Sequence, residues 1–188
     1  IQPDFRGSTG YGHAHFRAGW KQWGMAMQDD LADGAKWAVA QGVADPKRIC
    51  IVGASYGGYA ALMGLAKDPG LYKCAISSYG VTDMSLLYEP AWFIEGEMME
   101  RYRDYVLPEL VGDPVRDAAQ LRAASPIEHA ARMPLRYGER FHEAVKKNNP
   151  DVEWVEYPRE GHGWYVPENK FDYWTRVERF LERHIGQP

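Results

Sequence analysis

The sequence predicts an α/β fold in which a mainly parallel central sheet carries helices on both faces. Two short runs, 49–52 and 74–79, are largely apolar and hardly alternate, as expected of strands that are buried on both sides. One helical pattern lies before the first run and another lies between the two runs. Because strands that alternate with helices pair in parallel, these observations predict the α/β class.

The remaining elements support this interpretation in chain order. Asp29 and Asp30 open a helix that Gly42 closes. The helix that begins at Gly58 is apolar around most of its circumference, so we expect it to be buried. Residues 152–157 alternate as a late strand does. The last helix, from about Glu168 to Ile185, is expected to pack on the sheet through one apolar face, made of Phe171, Trp174, Val177, Leu181 and Ile185.

One turn in this fold has the pattern of a catalytic nucleophile. Gly53-Ala54-Ser55-Tyr56-Gly57 stands between the first apolar run and the buried helix. In that context Gly-x-Ser-x-Gly is typical of a nucleophile elbow, a strained turn that holds a serine above the edge of the sheet. Ser55 is therefore the candidate nucleophile, and the N–H of Tyr56 is the candidate first donor of an oxyanion hole. An ordinary glycine-rich turn is the alternative.

A serine nucleophile needs a histidine base, and His162 fits best among the six histidines. It follows the last predicted strand, comes after the serine in the chain, and lies between two glycines that permit a tight turn. The alternative is an exposed turn histidine without a catalytic role. The other five either precede the serine or lie in helical patterns: His13, His15, His129, His142 and His184.

Composition excludes several other classes. The net charge is −4 and there is no basic patch, so we expect no nucleic-acid partner. No apolar run approaches the length of a membrane span, so we expect no membrane partner. No His-x-x-x-His or Cys-x-x-Cys spacing occurs, so the sequence predicts neither a metal nor another cofactor.

The cysteines and the first residues bear on the compartment. Cys50 and Cys74 each lie in an apolar run, where buried free thiols are expected. The chain starts at Ile1 with neither an initiator Met nor a signal peptide, which indicates an internal start. These features leave the compartment open and favour the cytoplasm. They do not define the oligomeric state.

The stretch between Val81 and Leu110 has two interpretations. It mixes several acids with methionines and aromatic residues, and it leaves the end of a strand. It could therefore line a substrate pocket, because ligands bind beyond the carboxyl ends of parallel strands. It could equally be a packed excursion on the surface, because such side chains are commonly core.

Several motifs in combination resemble one family of enzymes. In chain order they are Arg6-Gly7-Ser8-Thr9-Gly10-Tyr11-Gly12, Asp45-Pro46 with Arg48-Ile49, Gly53-Ala54-Ser55-Tyr56-Gly57-Gly58-Tyr59, Ser125-Pro126, and Tyr157-Pro158 with Glu160-Gly161-His162-Gly163. Over nearly its whole length the chain resembles the catalytic domain of the prolyl oligopeptidase family of serine peptidases. The acylaminoacyl-peptidase and dipeptidyl-peptidase-like branches are the most similar.

The resemblance implies an α/β-hydrolase fold with Ser55 as nucleophile, His162 as base and the Tyr56 amide in the oxyanion hole. It implies a serine-type peptidase that binds short peptides or N-acylated peptides and cleaves them near their N-terminus. The family's hydrophobic pocket would map loosely onto Tyr56, Val81 and Met84. An N-terminal β-propeller is also implied. None lies within residues 1–188, which would form a partial catalytic domain.

Two parts of the family pattern have no counterpart in the chain. A His-Gly-Gly-Pro-like segment, which supplies the second oxyanion donor, is expected upstream of Arg6, so the domain looks truncated at its N-terminus. An internal strand followed by the triad Asp is expected near Met133–Leu135, where the chain instead enters a helical pattern. The acid stays unassigned, because none of the nearby carboxylates fits the position: Glu128, Glu139, Glu143 and Asp151.

Two further functions stay open beside the peptidase. A carboxylesterase acting on small acyl esters would use the same elbow, since one fold serves both chemistries. A catalytically dead hydrolase fragment, or a scaffold for partner binding, would account for the acid and the donor that the chain lacks.

Overall fold

The structure, a computed structural model, describes residues 1–89, 97–130, 139–147 and 151–186 of the chain. Its strands are β1 (Cys50–Ala54) and β2 (Cys74–Ser78). Its helices are α1 (His13–Ala18), α2 (Ala26–Ala40), α3 (Tyr56–Lys67), α4 (Glu97–Arg101), α5 (Leu107–Leu110), α6 (Ala118–Ala123), α7 (Pro126–His129), α8 (Glu139–Lys146) and α9 (Pro167–Ile185). A 3₁₀ turn covers Met84–Tyr88, and a π-helical turn, Tyr102–Val106, joins α4 to α5.

The two strands are parallel neighbours, as the sequence predicts. Cys50 lies opposite Cys74 at one end of the pair, and Ala54 lies opposite Ser78 at the other. The crossover from β1 to β2 runs through α3, which packs against both strands. The carboxyl ends of both strands therefore meet at one edge of the sheet, and Ser55 follows directly there.

The predicted state of the two cysteines is wrong in this structure. Cys50 and Cys74 are joined by a disulfide, and neither is a free thiol. The reason is the strand register, which places the two residues directly opposite each other with their Cα atoms 4.6 Å apart. The apolar character of each run predicts burial, but pairing across strands depends on a register that the sequence does not state.

Helix α3 is the centre of the core. Its residues 58–65 are all buried, which confirms the prediction of a helix that is covered all round. Tyr59 packs in one cluster with Met84, and Leu65 packs in a second cluster with Phe180 of α9. The helix is thus held between the segment that follows β2 and the last helix of the chain.

Helices α2 and α9 both form where the sequence predicts them, but only part of the predicted apolar face of α9 is buried. Helix α2 begins three residues earlier than Asp29 and ends just before Gly42, whose φ is +70°. On α9, Val177 and Phe180 are buried, whereas Phe171 and Trp174 are 77 % and 53 % exposed. The prediction that Phe171 and Trp174 pack on the sheet is therefore wrong: the apolar α9 residues that join the cluster of the sheet are Phe180 and Leu181, nearer the C-terminal end of the helix.

The predicted strand at 152–157 is not a strand in the structure. These residues have no ladder hydrogen bonds, and β2 pairs only with β1 among the described residues. A cavity separates the segment from the other side of β2. A strand exists only where a neighbour completes its hydrogen bonds, so the alternating pattern alone was insufficient.

Some sequence predictions fall outside the described residues. The place where the family's internal strand and triad Asp are expected, near Met133–Leu135, falls within 131–138. The aromatic pair Trp92 and Phe93 of the mixed stretch falls within 90–96. Neither segment belongs to the described ranges. Among the residues that are described, no helix has the length and apolar character required to span a membrane.

Candidate active site

Ser55 occupies the turn between β1 and α3 in a strained conformation. Its φ and ψ are +55° and −120°, an arrangement that costs a residue with a side chain about 1–3 kcal/mol. The Ser55 N–H donates to the carbonyl oxygen of Ser78 over 2.9 Å, which ties the turn to the end of β2. The surrounding hydrogen bonds and packing therefore hold the serine in a conformation that it would not adopt alone.

The space around the turn explains the need for its first glycine. A Cβ atom at Gly53 would lie 2.3 Å from the carbonyl carbon of Gly57, which is backbone and cannot rotate away. A Cβ atom at Gly58 would lie 2.8 Å from the Cα of Gly80. At Gly57, by contrast, a Cβ atom would have no described neighbour within 4 Å. The close approach of strand and helix at the elbow thus depends on Gly53 and Gly58.

His162 is beside this serine. Its Nε2 atom lies 3.1 Å from Ser55 Oγ, within hydrogen-bonding distance, although His162 belongs to the loop before α9. An isolated antiparallel bridge between Gly161 and Gly163 folds the loop tightly around the histidine. The imidazole is exposed and lies against Tyr79, with the ring centroids 4.8 Å apart.

The N–H of Tyr56 starts α3, where the first amides of a helix have no intrahelical acceptor. The helix dipole adds a partial positive charge at the same end, which favours a developing oxyanion. The Tyr56 side chain points into the core and contacts Trp23, whose ring centroid is 4.6 Å away, and Phe5 at 5.2 Å. Burial raises the pKa of the Tyr56 hydroxyl, so this group stays neutral.

The glycine-rich loop at residues 6–12 supports the same region. Arg6 donates to both carboxylate oxygens of Asp30 on α2, over 2.8 and 2.7 Å, and its backbone N–H donates over 2.9 Å. Phe5, the residue before it, packs on Tyr56. The hydrogen bond from Arg6, followed by charge attraction, lowers the pKa of Asp30 despite the opposing effect of burial. The loop is therefore fixed against both α2 and the start of α3.

A cavity of about 490 Å³ opens on the far side of His162. It lies between β2 and residues 153–157 and is lined further by α9. Most of its walls are apolar or aromatic. Ser78 Oγ and the hydroxyl of Tyr173 form a 2.7 Å hydrogen bond in its lining. The cavity thus follows the edge of β2 that has no described partner and ends at the imidazole.

The structure assigns no acid to His162. Among residues whose side chains are described, no carboxylate is hydrogen-bonded to the imidazole. Asp151 instead lies 3.9 Å from Nε2 of His184, at another part of α9. The expected position of the acid, near Met133–Leu135, lies outside the described residues. Nor do the described residues contain a group of three or more His, Cys, Asp or Glu able to hold a metal ion.

Val81 and Met84 belong to the core cluster of Tyr59. Val81 is 4 % exposed and Met84 is fully buried. The cavity beside His162 is lined by their neighbours Thr82 and Leu86 instead. A role for Val81 and Met84 in a substrate pocket stays a prediction.

Sequence reasoning gave no role of their own to three residues near the histidine, although Glu160 belongs to a motif it quoted. Tyr79, which has φ +40°, lies against the imidazole. Tyr173 of α9 reaches the end of β2 through Ser78. Glu160 accepts hydrogen bonds from the far end of the histidine loop. Tyr79 could have been inferred as the residue that ends a strand beside the elbow, whereas the other two contacts have no local signal.

Known sequences resemble this chain over its full length. A model of the prolyl oligopeptidase family matches residues 1–188. Dipeptidyl aminopeptidase BIII of Pseudoxanthomonas mexicana is 34 % identical over 99 % of the chain, and dipeptidyl peptidase family member 6 of Caenorhabditis elegans is 28 % identical over 99 %. The chain spans only 29 % and 27 % of these two proteins.

The alignment with the Pseudoxanthomonas protein has 206 positions, more than the 188 residues of the chain. The relative therefore carries residues that have no counterpart here.

Solved structures share the fold. A puromycin-hydrolysing peptidase of Mycobacterium tuberculosis superposes with a TM-score of 0.85 at 24 % identity, covering 98 % of this chain and 29 % of its own. An acylaminoacyl peptidase in complex with Z-Gly-Gly-Phe-chloromethyl ketone gives a TM-score of 0.79 at 22 % identity, covering 97 % and 31 %. At these identities the likeness establishes the architecture alone.

Proposed function

Because this chain belongs to the prolyl oligopeptidase family and has its α/β-hydrolase fold, we propose that it forms the catalytic part of a serine peptidase. The substrates are short peptides or N-acylated peptides, cleaved near their N-terminus. The observation that carries the proposal is the 3.1 Å distance between Ser55 Oγ and His162 Nε2. A serine in a strained elbow has no structural need for a histidine at that distance.

In this reaction His162 transfers one proton in each of the two half-reactions. Its Nε2 atom accepts the proton of the Ser55 hydroxyl while Oγ bonds to the carbonyl carbon of the substrate. The tetrahedral intermediate then collapses, the C–N bond breaks, and the imidazolium gives its proton to the leaving amine. Water then attacks the acyl carbon while His162 Nε2 takes one of its protons, and the imidazolium gives that proton to Ser55 Oγ as the ester C–O bond breaks, which releases the carboxylic acid and restores the serine.

The negative charge on the intermediate requires donors that point at the oxyanion. The Tyr56 N–H is the proposed first donor, because it follows the nucleophile at the start of α3. The second donor is expected in a segment upstream of Arg6. Loss of one such donor typically lowers kcat about 10²–10³-fold, so an enzyme with both donors should be considerably more active than one with the Tyr56 donor alone.

The acid that would orient His162 is not assigned among the described residues. We propose that active relatives carry it on an additional strand that fills the cavity between β2 and residues 153–157. Three observations support this: the cavity ends at His162, one edge of β2 has no described partner, and the relatives contain residues with no counterpart here. Without an orienting acid, turnover falls about 10⁴-fold in the best-studied serine proteases.

The remaining length of the relatives leaves room for a further domain. The chain spans under a third of the first curated relatives, and we propose that an N-terminal β-propeller accounts for much of the rest. Such a domain would restrict the active site to short substrates, in agreement with the proposed activity.

The proposal is tested by comparing substrates on the intact protein. Aminoacyl, dipeptidyl and N-acylaminoacyl p-nitroanilides should be hydrolysed, and Ser55→Ala should abolish that turnover. p-Nitrophenyl esters provide the comparison, because a carboxylesterase would cleave them while leaving every anilide intact. That pattern would overturn the peptidase in favour of the esterase. The absence of turnover on both classes would favour a catalytically dead scaffold.

A further inference from the structure

One carboxylate closes the loop that carries His162. Glu160 lies two residues before the histidine, and its carboxylate accepts hydrogen bonds from the backbone N–H of Tyr165 over 2.6 Å and of Val166 over 3.1 Å. It also accepts one from Nδ2 of Asn169 over 2.9 Å. The two ends of the loop, and the start of α9, are thus joined through a single side chain.

The site suits an ionised carboxylate. Burial raises the pKa of Glu160, but its three hydrogen bonds and the nearby charge of Arg159 outweigh that effect and lower the pKa overall. Val166 is the N-cap residue of α9, a 19-residue helix whose dipole presents partial positive charge there. Hydrogen bonds that an ionised acceptor makes to N–H groups are among the stronger ones in proteins.

The imidazole of His162 itself has few described contacts. Glycines flank it on both sides, and glycine has the greatest backbone freedom of any residue. The imidazole is exposed, and its described contacts are the Ser55 hydroxyl and the ring of Tyr79. The tight fold of the loop comes from the Gly161–Gly163 bridge, and its position relative to α9 comes from Glu160 together with the ring of Trp164, which lies against Tyr173 of α9 with centroids 4.7 Å apart.

We propose that Glu160 is a positioning residue, which holds the His162 loop against the start of α9 so that Nε2 stays within reach of the Ser55 hydroxyl. It acts through the backbone of residues 161–166 and is not hydrogen-bonded to His162 or Ser55 among the described residues. The inference rests on the proposed function, since it assigns Glu160 a role in the same proton transfer.

Two substitutions separate the roles of charge and hydrogen bonding. Glu160→Ala removes all three acceptor interactions. Glu160→Gln keeps one carbonyl oxygen for Val166 and Asn169 but turns an NH₂ group towards the N–H of Tyr165. Because a misplacement of about 1 Å can cost roughly 10²-fold in rate, we expect Glu160→Ala to lower kcat about 10²-fold with little change in KM. Glu160→Gln should retain more activity than Glu160→Ala.

Glu168→Gln is the matched control. Glu168 is exposed in the first turn of α9, so its substitution removes the same charge from the same helix end without touching the loop. This variant should retain the activity of the unaltered protein.

The experiment uses the intact protein and two independent readouts. The first is the rate at which a fluorophosphonate labels Ser55, and the second is hydrogen exchange at the amides of Tyr165 and Val166. We expect Glu160→Ala to slow labelling about 10²-fold and to accelerate exchange, Glu160→Gln to do both less, and Glu168→Gln to do neither.

Unchanged exchange in Glu160→Ala would overturn the loop contact itself. Faster exchange with an unchanged labelling rate would show that the contact is merely structural, and would overturn the positioning role. Failure of the unaltered protein to react with the fluorophosphonate is a different result, because it would contradict the proposed function. In that case the exchange readout would still test whether Glu160 holds the loop.

Discussion

The hydroxyl of Ser55 and the imidazole of His162 lie 3.1 Å apart, although 107 positions separate them in the chain. Ser55 is placed by the junction of β1 and α3, and His162 by the loop that leads into α9. These two elements meet because α3 and α9 pack in one cluster with β2. The proximity is thus a product of the whole fold, and each of its supports can be tested separately.

The first prediction concerns the base. His162→Gln should lower kcat for peptide p-nitroanilides about 10⁴-fold or more, because a carboxamide cannot accept and return the proton of Ser55. His13→Gln serves as the control, since His13 is exposed on α1. Steady-state kinetics of both variants provide the measurement. Equal activity of the two variants would remove His162 from the mechanism.

The second prediction concerns the two glycines of the elbow. Gly53→Ala should destabilise the protein by about 1–3 kcal/mol or prevent the elbow from forming, because the added Cβ would meet the backbone of Gly57 at 2.3 Å. Gly57→Ala should change the free energy of unfolding by less than about 1 kcal/mol, because its Cβ would meet no described atom within 4 Å. Urea unfolding of both variants compares them directly. Similar losses at the two positions would contradict the described packing of strand and helix.

The third prediction concerns the ion pair that anchors the loop at residues 6–12. Asp30→Asn should lower the free energy of unfolding at pH 7 by about 1 kcal/mol, because Arg6 loses its charged acceptor. The Arg6 hydrogen bond lowers the pKa of Asp30 in the folded protein, so the stabilisation is complete above the unfolded-state pKa and disappears as the pH falls through the folded-state value. The difference between the variants should therefore shrink in strong acid.

Asp33→Asn is the control for this pair. Asp33 is exposed on the same helix, 3.5 Å from Lys36, and its loss should have little effect. Urea titrations at pH 7 and at low pH measure both variants. If the difference in free energy of unfolding between Asp30→Asn and the unaltered protein grew on acidification, the result would contradict the lowered pKa of Asp30.

The fourth prediction concerns the two phenylalanines of α9. Phe180→Ala should cost about 3–5 kcal/mol, because Phe180 is 9 % exposed and packs with Leu65. Phe171→Ala should change stability by no more than about 0.5 kcal/mol, because Phe171 is 77 % exposed. Thermal unfolding of the two variants tests which part of the helix is buried. A larger effect at Phe171 than at Phe180 would contradict this burial pattern and would favour the buried face that periodicity alone predicts.

The elbow and the buried helix could be predicted because their signals are local. Gly53, Ser55 and the apolar residues of α3 occupy consecutive positions, and each has a direct physical role at its place in the chain. The place of His162 beside Ser55 could be predicted from its position after the serine and its two flanking glycines, although the strand expected before its loop does not form.

The errors all depend on neighbours that periodicity does not describe. The apolar face of α9 is regular, but only Phe180 and Leu181 of that helix join the cluster of the sheet, while Phe171 and Trp174 near its start are exposed. Residues 152–157 alternate correctly, yet no strand within the described ranges lies beside them to complete a ladder. The bond between Cys50 and Cys74 follows from strand register, which no single strand reveals.

The most direct measurement is the mass of the intact protein after reaction with a fluorophosphonate, followed by peptide mapping of the adduct. A single adduct on Ser55, absent in Ser55→Ala and formed much more slowly in His162→Gln, is the predicted result. An adduct that persists in Ser55→Ala, or no adduct on the intact protein, would contradict the assignment of Ser55 as the nucleophile.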